Sequence, residues 1–138
     1  GDRRVIYNLK GWNILLQVCY DLRFPVFSRN RTINDNKEYD MVIYIANWPE
    51  VRSNVWKTLI QARAIENQTY CIGLNRVGFD GNKINHTGNS LVIDPWGNYE
   101  KTIPASVDKM FIVQLNKNKL LEMNLMQIQK TLKIILMF

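Results

Sequence analysis

Blocks of apolar and polar residues succeed one another along the chain and predict a strand–helix–strand order. Residues 41–46 form a nearly continuous apolar run, which is the pattern of a strand covered on both faces. Residues 55–66 repeat apolar side chains at the spacing of one helix face, and residues 69–74 form a second apolar run. A helix that is preceded and followed in sequence by strands buried on both faces is typical of an α/β fold.

Turn and loop residues separate the remaining predicted elements. Lys10 and Gly11 stand between two strand-like runs, so we expect a hairpin over residues 5–9 and 12–18. Pro25 is a favourable first-turn residue and lies at the start of a predicted helix over residues 24–30. The pattern further predicts surface loops over 32–38 and 78–88, a hairpin of residues 90–93 with those from 99 onward, and a last strand over 110–115.

Length and charge narrow the class of protein. The chain has 138 residues, enough for one domain with a hydrophobic core, and no internal repeat or linker divides it. Its formal net charge is +6, but residues 117–138 contribute half of that excess, and the other basic residues are scattered without interleaved aromatic side chains. We therefore expect no nucleic-acid partner. No apolar run approaches the ~18 residues of a membrane span, so we expect no membrane partner.

The two cysteines and the single histidine argue against a disulfide scaffold and a metal site. Cys19 and Cys71 each lie in an apolar strand-like run, and no signal peptide is visible, so we expect a reducing, cytoplasmic location. His86 stands in a Gly/Asn-rich stretch, where we expect a solvent-exposed loop residue rather than a catalytic partner for Cys19. One histidine and two distant cysteines offer no ligand spacing, so we expect no metal.

Cys19 is the residue best placed for chemistry. It ends a buried strand and precedes a turn into the predicted helix, so its thiol would be held on rigid scaffold beside the next backbone N–H groups. That placement suits a nucleophile. Cysteine is also among the most buried residue types, and on local grounds alone an inert core thiol is the favoured interpretation.

A series of short motifs adds to this local interpretation. In chain order they are Cys19-Tyr20-Asp21-Leu22-Arg23-Phe24-Pro25, Tyr44-Ile45-Ala46-Asn47-Trp48-Pro49, Gln61-Ala62-Arg63-Ala64-Ile65-Glu66-Asn67-Gln68, Asn75-Arg76-Val77-Gly78, Asp80-Gly81-Asn82, Gly88-Asn89-Ser90 and Asp94-Pro95-Trp96-Gly97. As a set they resemble the carbon–nitrogen hydrolase (nitrilase) superfamily over roughly residues 1–115. Together with Ser28-Arg29-Asn30 they are most similar to its bacterial ω-amidase (2-oxoglutaramate amidase) branch. Residues 116–138 diverge from that pattern.

The resemblance implies an α-β-β-α sandwich of the nitrilase type. Complete members are roughly twice as long as this chain, and the matching motifs are those of their C-terminal half. We therefore expect residues 1–138 to form one partial carbon–nitrogen hydrolase domain that belongs to a longer protein. Half a sandwich would leave a sheet face and strand edges uncovered, so we expect poor solubility and self-association. Relatives of this kind form homodimers or larger assemblies, and we expect a homo-oligomer.

The resemblance also implies a catalytic chemistry. The family hydrolyses its substrates without a cofactor through a Glu–Lys–Cys triad, in which Glu is the general base, Lys supplies positive charge and Cys forms a thioester. Cys19 matches the nucleophile, and the backbone N–H of Tyr20 is the implied oxyanion donor. Asn47 and Trp48 are implied substrate-binding residues, although simple packing is an equal alternative for Trp48. In the relatives the Glu and the Lys precede the matching segment, and Lys10 is better explained as a turn residue.

The expected function is hydrolysis of the terminal amide of a small α-keto acid such as 2-oxoglutaramate, with release of ammonia. Two alternatives stay open: another amide or nitrile substrate, and an inactive fragment that acts only as a structural or interaction unit. Near the nucleophile we expect Asp21 and Arg23 to brace the turn through charge-assisted bonds, with a role in substrate binding as the less favoured alternative. We expect Arg63 to pair with Glu66 on a helix that the resemblance places at a subunit contact.

Overall fold

A six-stranded mixed sheet forms the framework of the chain. The computed structural model describes residues 3–34, 36–123 and 125. The strands, which form this sheet and two separate two-stranded pairs, are β1 (Val5–Leu9), β2 (Trp12–Val18), β3 (Thr32–Ile33), β4 (Asn36–Lys37), β5 (Met41–Ala46), β6 (Tyr70–Asn75), β7 (Val77–Phe79), β8 (Asn85–Thr87), β9 (Leu91–Ile93) and β10 (Tyr99–Thr102). Before residue 118 the helices are α1 (Pro25–Ser28) and α2 (Ser53–Asn67), and short 3₁₀ turns cover Cys19–Arg23 and Glu50–Arg52. This mixture confirms the predicted α/β class.

The strand order places the ends of three strands together. The sheet runs β1-β2-β5-β6-β9-β10, with β2, β5 and β6 parallel and the other neighbours antiparallel. The register pairs Val18 with Ile45, and Ile45 in turn with Leu74, so the carboxyl ends of β2, β5 and β6 lie at one edge. The predicted hairpin over residues 5–9 and 12–18 is confirmed, with Lys10 in the left-handed backbone conformation of its turn.

Three segments differ from the sequence-based predictions. The predicted loop over residues 78–88 contains the β7–β8 hairpin, because the Asp80 carboxylate accepts the Asn82 and Ile84 N–H groups and closes its turn. The predicted loop over 32–38 likewise contains the short β3–β4 pair. The predicted strand over 110–115 is wrong: these residues pair with no described strand. Of the divergent tail, residues 118–123 are helical, whereas residue 124 and residues 126–138 lie outside the described residues.

The hydrophobic core lies between the sheet and α2. The buried residues of the helix are Trp56, Ile60, Arg63, Ala64 and Asn67. They cover the sheet face that carries Leu15, Val42, Tyr44, Cys71, Leu91 and Ile93. The helix approaches β6 closely at Gly73, where an added Cβ would lie 2.6 Å from the Trp56 ring. The sheet and this helix therefore form two of the layers that an α/β sandwich requires.

The opposite face of the sheet is apolar and partly exposed. At the amino ends of the parallel strands, Leu120 packs over Ile14, Met41 and Tyr70. Toward the carboxyl ends, about half of each side chain is exposed at Leu16, Val18, Ile45 and Leu74. The uncovered half of the face is thus the half nearest Cys19. Within the described part of the chain, no helix has the length and apolar character needed to cross a membrane.

Candidate active site

Cys19 and Asn47 meet at the edge of the sheet where the parallel strands end. Cys19 directly follows β2, and Asn47 directly follows the neighbouring β5. The thiol is half-buried, and its Sγ lies 3.9 Å from the Asn47 carbonyl oxygen. The Cys19 φ of 44° lies in the left-handed region, which costs free energy for any residue with a Cβ. The carboxyl edge of an open α/β sheet is also where ligands commonly bind.

Asp21 braces the turn that begins at Cys19. Its Oδ2 accepts the Val18 N–H at 2.9 Å, and its carbonyl oxygen accepts the Phe24 N–H at 3.0 Å. These bonds close both sides of the short Cys19–Arg23 helix. The predicted bracing role of Asp21 is therefore confirmed.

Arg23 does not brace the turn by hydrogen bonds as predicted. Its guanidinium instead stacks on two aromatic rings, 5.1 Å from the Trp48 ring centre and 5.7 Å from that of Tyr20. The side chain is exposed, and none of the ion pairs or side-chain hydrogen bonds among the described residues involves it. The stacked rings hold this cation in place while leaving its N–H groups available.

Trp48 lies in the core beneath Arg23, whereas Asn47 is exposed. The Trp48 indole is 3% exposed, its Nε1 donates to the Arg52 carbonyl at 2.8 Å, and its ring packs 5.5 Å from that of Trp56. In the structure Trp48 thus packs in the core and supports the guanidinium above it. Asn47 is exposed, and its backbone carbonyl oxygen is the atom that lies near the thiol.

Asn75 fixes the backbone next to Asn47, and sequence reasoning assigned it no role. Its Oδ1 accepts the Trp48 N–H at 2.7 Å, and its Nδ2 donates to the carbonyl oxygens of Trp48 at 3.0 Å and Gly88 at 2.8 Å. The sequence shows the motif that Asn75 forms with Arg76. It does not show the contact with Trp48, because the two residues are 27 positions apart. The amide thus links the ends of two neighbouring strands.

Tyr20 belongs to the turn that begins at Cys19, and Arg63 contacts that turn from α2. Tyr20 follows Cys19 directly, and its exposed ring packs edge-on against Phe24 at 5.6 Å. The predicted pairing of Arg63 with Glu66 is confirmed at 2.8 Å. Arg63 also donates from Nη2 to the Leu22 carbonyl at 2.8 Å, so it contacts the turn as well as its own helix.

Cys71 and His86 do not belong to the sheet edge that carries Cys19. Cys71 is completely buried in the core, and that burial raises the pKa of its thiol. His86 is 3% exposed on β8, with Nδ1 3.0 Å from the Ile84 carbonyl oxygen, so the predicted solvent-exposed position is wrong. His86 is buried because it lies in the β7–β8 hairpin, whereas the sequence predicted an exposed loop over these residues. Over residues 3–34, 36–123 and 125, no group of three or more metal-ligating side chains occurs.

Comparison with known sequences identifies the relatives of the chain. The family model of the carbon–nitrogen hydrolases matches residues 1–123. Omega-amidase YafV of Escherichia coli (strain K12) is 54% identical over 105 residues, which are 76% of this chain and 39% of that protein. The 2-oxoglutaramate amidase of Bacillus subtilis (strain 168) is 41% identical over 97 residues, 70% of this chain and 36% of that protein. The chain thus spans about two fifths of the length of these relatives.

Solved structures show the same relationship. XC1258 from Xanthomonas campestris, described as a CN-hydrolase superfamily protein with an arsenic adduct in its active site, has a TM-score of 0.84 and 42% identity. The match covers 88% of this chain and 47% of that chain. An amidase from Nesterenkonia sp., at 24% identity and a TM-score of 0.73, shares the fold over 88% of this chain and 44% of its own. The predicted resemblance to ω-amidases is confirmed, and the chain belongs to the carbon–nitrogen hydrolase family.

Proposed function

We propose that this chain is part of a thiol-dependent amidase whose nucleophile is Cys19. The observation that carries the proposal is the position of the thiol. It is half-buried at the carboxyl end of β2, on a residue with a positive φ, and 3.9 Å from the Asn47 carbonyl oxygen. Strained backbone of this kind concentrates at functional sites. The relatives named as ω-amidase and 2-oxoglutaramate amidase support the reaction class.

The proposed reaction has an acylation half and a hydrolysis half. The Cys19 thiolate attacks the amide carbon, and the C=O electron pair moves to the oxygen, where the Tyr20 backbone N–H stabilises the oxyanion. As the intermediate collapses, the C–N bond breaks, the nitrogen takes up the proton that the general base removed from the thiol and leaves as ammonia, and a thioester remains on Cys19. Water then adds to the thioester, and the carboxylic acid and the free thiol are released.

The acid–base partners are proposed to lie outside this chain. The family resemblance implies a Glu general base and a Lys that stabilises the intermediate, both from sequence that precedes the matching segment. The match covers 39% of the Escherichia coli protein, so most of that relative's sequence lies outside the match. We therefore expect turnover to require a longer chain, and we expect no cofactor.

The proposed substrate is the terminal amide of a small α-keto acid such as 2-oxoglutaramate. Arg23 supports an anionic substrate, because its exposed guanidinium rests on the rings of Tyr20 and Trp48 and takes part in no ion pair among the described residues. An arginine held this way offers its fork of N–H donors to a carboxylate. The exposed side chain of Asn47 is the proposed second polar contact.

Ammonia release from 2-oxoglutaramate tests this proposal. The assay compares the 138-residue chain with a longer form that includes the upstream sequence of its gene, each with and without Cys19→Ala. We expect turnover only in the longer form and none after Cys19→Ala. Turnover that survives Cys19→Ala would refute the nucleophile, and turnover by the short chain would refute the need for upstream groups. Lack of ammonia release by both forms would refute the substrate.

A second candidate function is a structural unit that acts through association. The apolar sheet face favours it, since Leu16, Val18, Ile45 and Leu74 are about half exposed. Exposed apolar patches of this kind mark interaction surfaces. Light scattering on the 138-residue chain tests this alternative: we expect a homo-oligomer, and a monodisperse monomer would contradict it.

A further inference from the structure

We propose that Arg63 is a positioning residue that fixes the turn carrying Cys19. The inference rests on the proposed role of Cys19 as the nucleophile. Arg63 lies on α2 and is 41 residues away in sequence from the turn that it contacts. Its side chain is only 5% exposed, so the position of the guanidinium is set by its protein partners rather than by water.

The guanidinium divides its donors between the helix and the turn. Nε and Nη2 both donate to the Leu22 carbonyl oxygen, at 3.2 and 2.8 Å. Nη1 donates to Glu66 Oε1 at 2.8 Å, one helical turn away on α2. The Glu66 carboxylate therefore anchors the cation on the helix, and the cation in turn anchors the turn. Hydrogen bonds from a charged donor are about twice as strong as those between neutral groups.

The turn needs such anchors because its first residue is strained. A left-handed conformation at Cys19 persists only where the surrounding contacts determine it. Asp21 secures the start of the turn through the Val18 N–H, and Arg63 secures its far side through Leu22, whose side chain is fully buried. The direction of the thiol and of the following N–H depends on both anchors. Arg63 thus acts on the proposed nucleophile through the backbone and without touching a substrate.

Hydrogen–deuterium exchange on the 138-residue chain tests whether the anchor is local. Arg63→Met removes the N–H donors but keeps an apolar side chain. Arg63→Lys keeps the positive charge but has a single donor nitrogen. Lys57→Met is the matched control, because it removes an exposed cation from the same helix. We expect exchange over residues 18–24 to become about tenfold faster in Arg63→Met, because both hydrogen bonds to the Leu22 carbonyl oxygen are lost.

The comparison with the central strands separates local from global effects. We expect exchange over β5 and β6 to match the unsubstituted chain, Arg63→Lys to give a smaller acceleration over residues 18–24, and Lys57→Met to give none. Unchanged exchange over residues 18–24 would overturn the proposal. Equal acceleration over β5 and β6 would also overturn it, since that result reports general destabilisation. If Arg63→Met does not fold, Arg63→Lys carries the same comparison.

Steady-state kinetics in the longer form supplies the functional test. We expect Arg63→Lys to lower kcat about tenfold while KM stays within twofold, because the substrate contacts are untouched and the thiol is misaligned. An unchanged kcat, or a loss that falls on KM, would overturn the positioning role. Absence of turnover in the unsubstituted longer form would refute the proposed substrate instead, and the exchange experiment then decides on Arg63 alone.

Discussion

Replacement of Gly73 by alanine tests the close contact between β6 and α2. A Cβ at this position would lie 2.6 Å from Trp56 Cζ2 and 3.0 Å from Ile60 Cδ1. Both neighbours are fully buried, so neither side chain can move into solvent to make room. The added methyl group therefore forces the helix away from the sheet or its side chains away from their preferred rotamers.

We expect Gly73→Ala to lower the free energy of unfolding by about 1–3 kcal/mol, the usual cost of overpacking a core. Part of that cost is offset, because removing a glycine from the unfolded chain stabilises the folded state by about 0.4–1 kcal/mol. Gly81 separates the two effects, since a Cβ there would meet no atom within 4 Å. Gly81→Ala should therefore leave stability unchanged or raise it by that smaller amount.

Urea unfolding followed by far-UV circular dichroism measures both variants against the unsubstituted chain. We expect a lower midpoint for Gly73→Ala, an equal or higher one for Gly81→Ala, and unchanged m-values, because neither change alters the surface exposed on unfolding. If Gly73→Ala is as stable as Gly81→Ala, the tight approach of the helix to β6 is refuted.

Three further predictions concern charge, thiol reactivity and the strand-end loops. Hydrogen bonding from Arg31 holds the pKa of Glu38 below its ordinary 4.5, so this carboxylate contributes its full stability above pH 4.5 and loses it as the pH falls through the lowered pKa. Glu38→Gln should therefore flatten the acid side of a curve of unfolding free energy against pH, and an unchanged curve would contradict this. Burial raises the pKa of the Cys71 thiol, so iodoacetamide should label only Cys19 in the folded chain and both thiols in urea. Mass spectrometry counts the labels, and labelling of Cys71 in the folded chain would contradict its core position. Asn75→Ala removes three hydrogen bonds between strand ends and should cost about 1–3 kcal/mol in urea unfolding, whereas a cost near zero would show that these bonds do not hold the loops.

The central elements follow from the sequence because each has a self-contained pattern. The apolar run over residues 41–46 coincides with β5, and the helical spacing over 55–66 lies within α2. Burial of His86 could not be predicted, because it depends on the β7–β8 hairpin, whose turn the Asp80 side chain closes. The apolar residues at 110–115 resemble a strand, but a strand also needs a partner, and no described strand pairs with them.

The candidate site was predictable where it depends on neighbours in sequence. The placement of Cys19 at a strand end, the bracing by Asp21 and the pairing of Arg63 with Glu66 all involve short separations. The contact of Arg63 with Leu22 spans 41 residues and needs the helix packed on the sheet. Long-range hydrogen bonds of this kind leave no periodic signal in the sequence, so the tertiary fold is required to see them.

Mass spectrometry of the longer form, quenched in acid during turnover of 2-oxoglutaramate, tests the role of Cys19 most directly. We expect a mass increase equal to the substrate minus ammonia, located on the peptide that contains Cys19 and absent after Cys19→Ala. Continued turnover with no adduct on Cys19, or with the adduct on another residue, would contradict the proposed thioester mechanism.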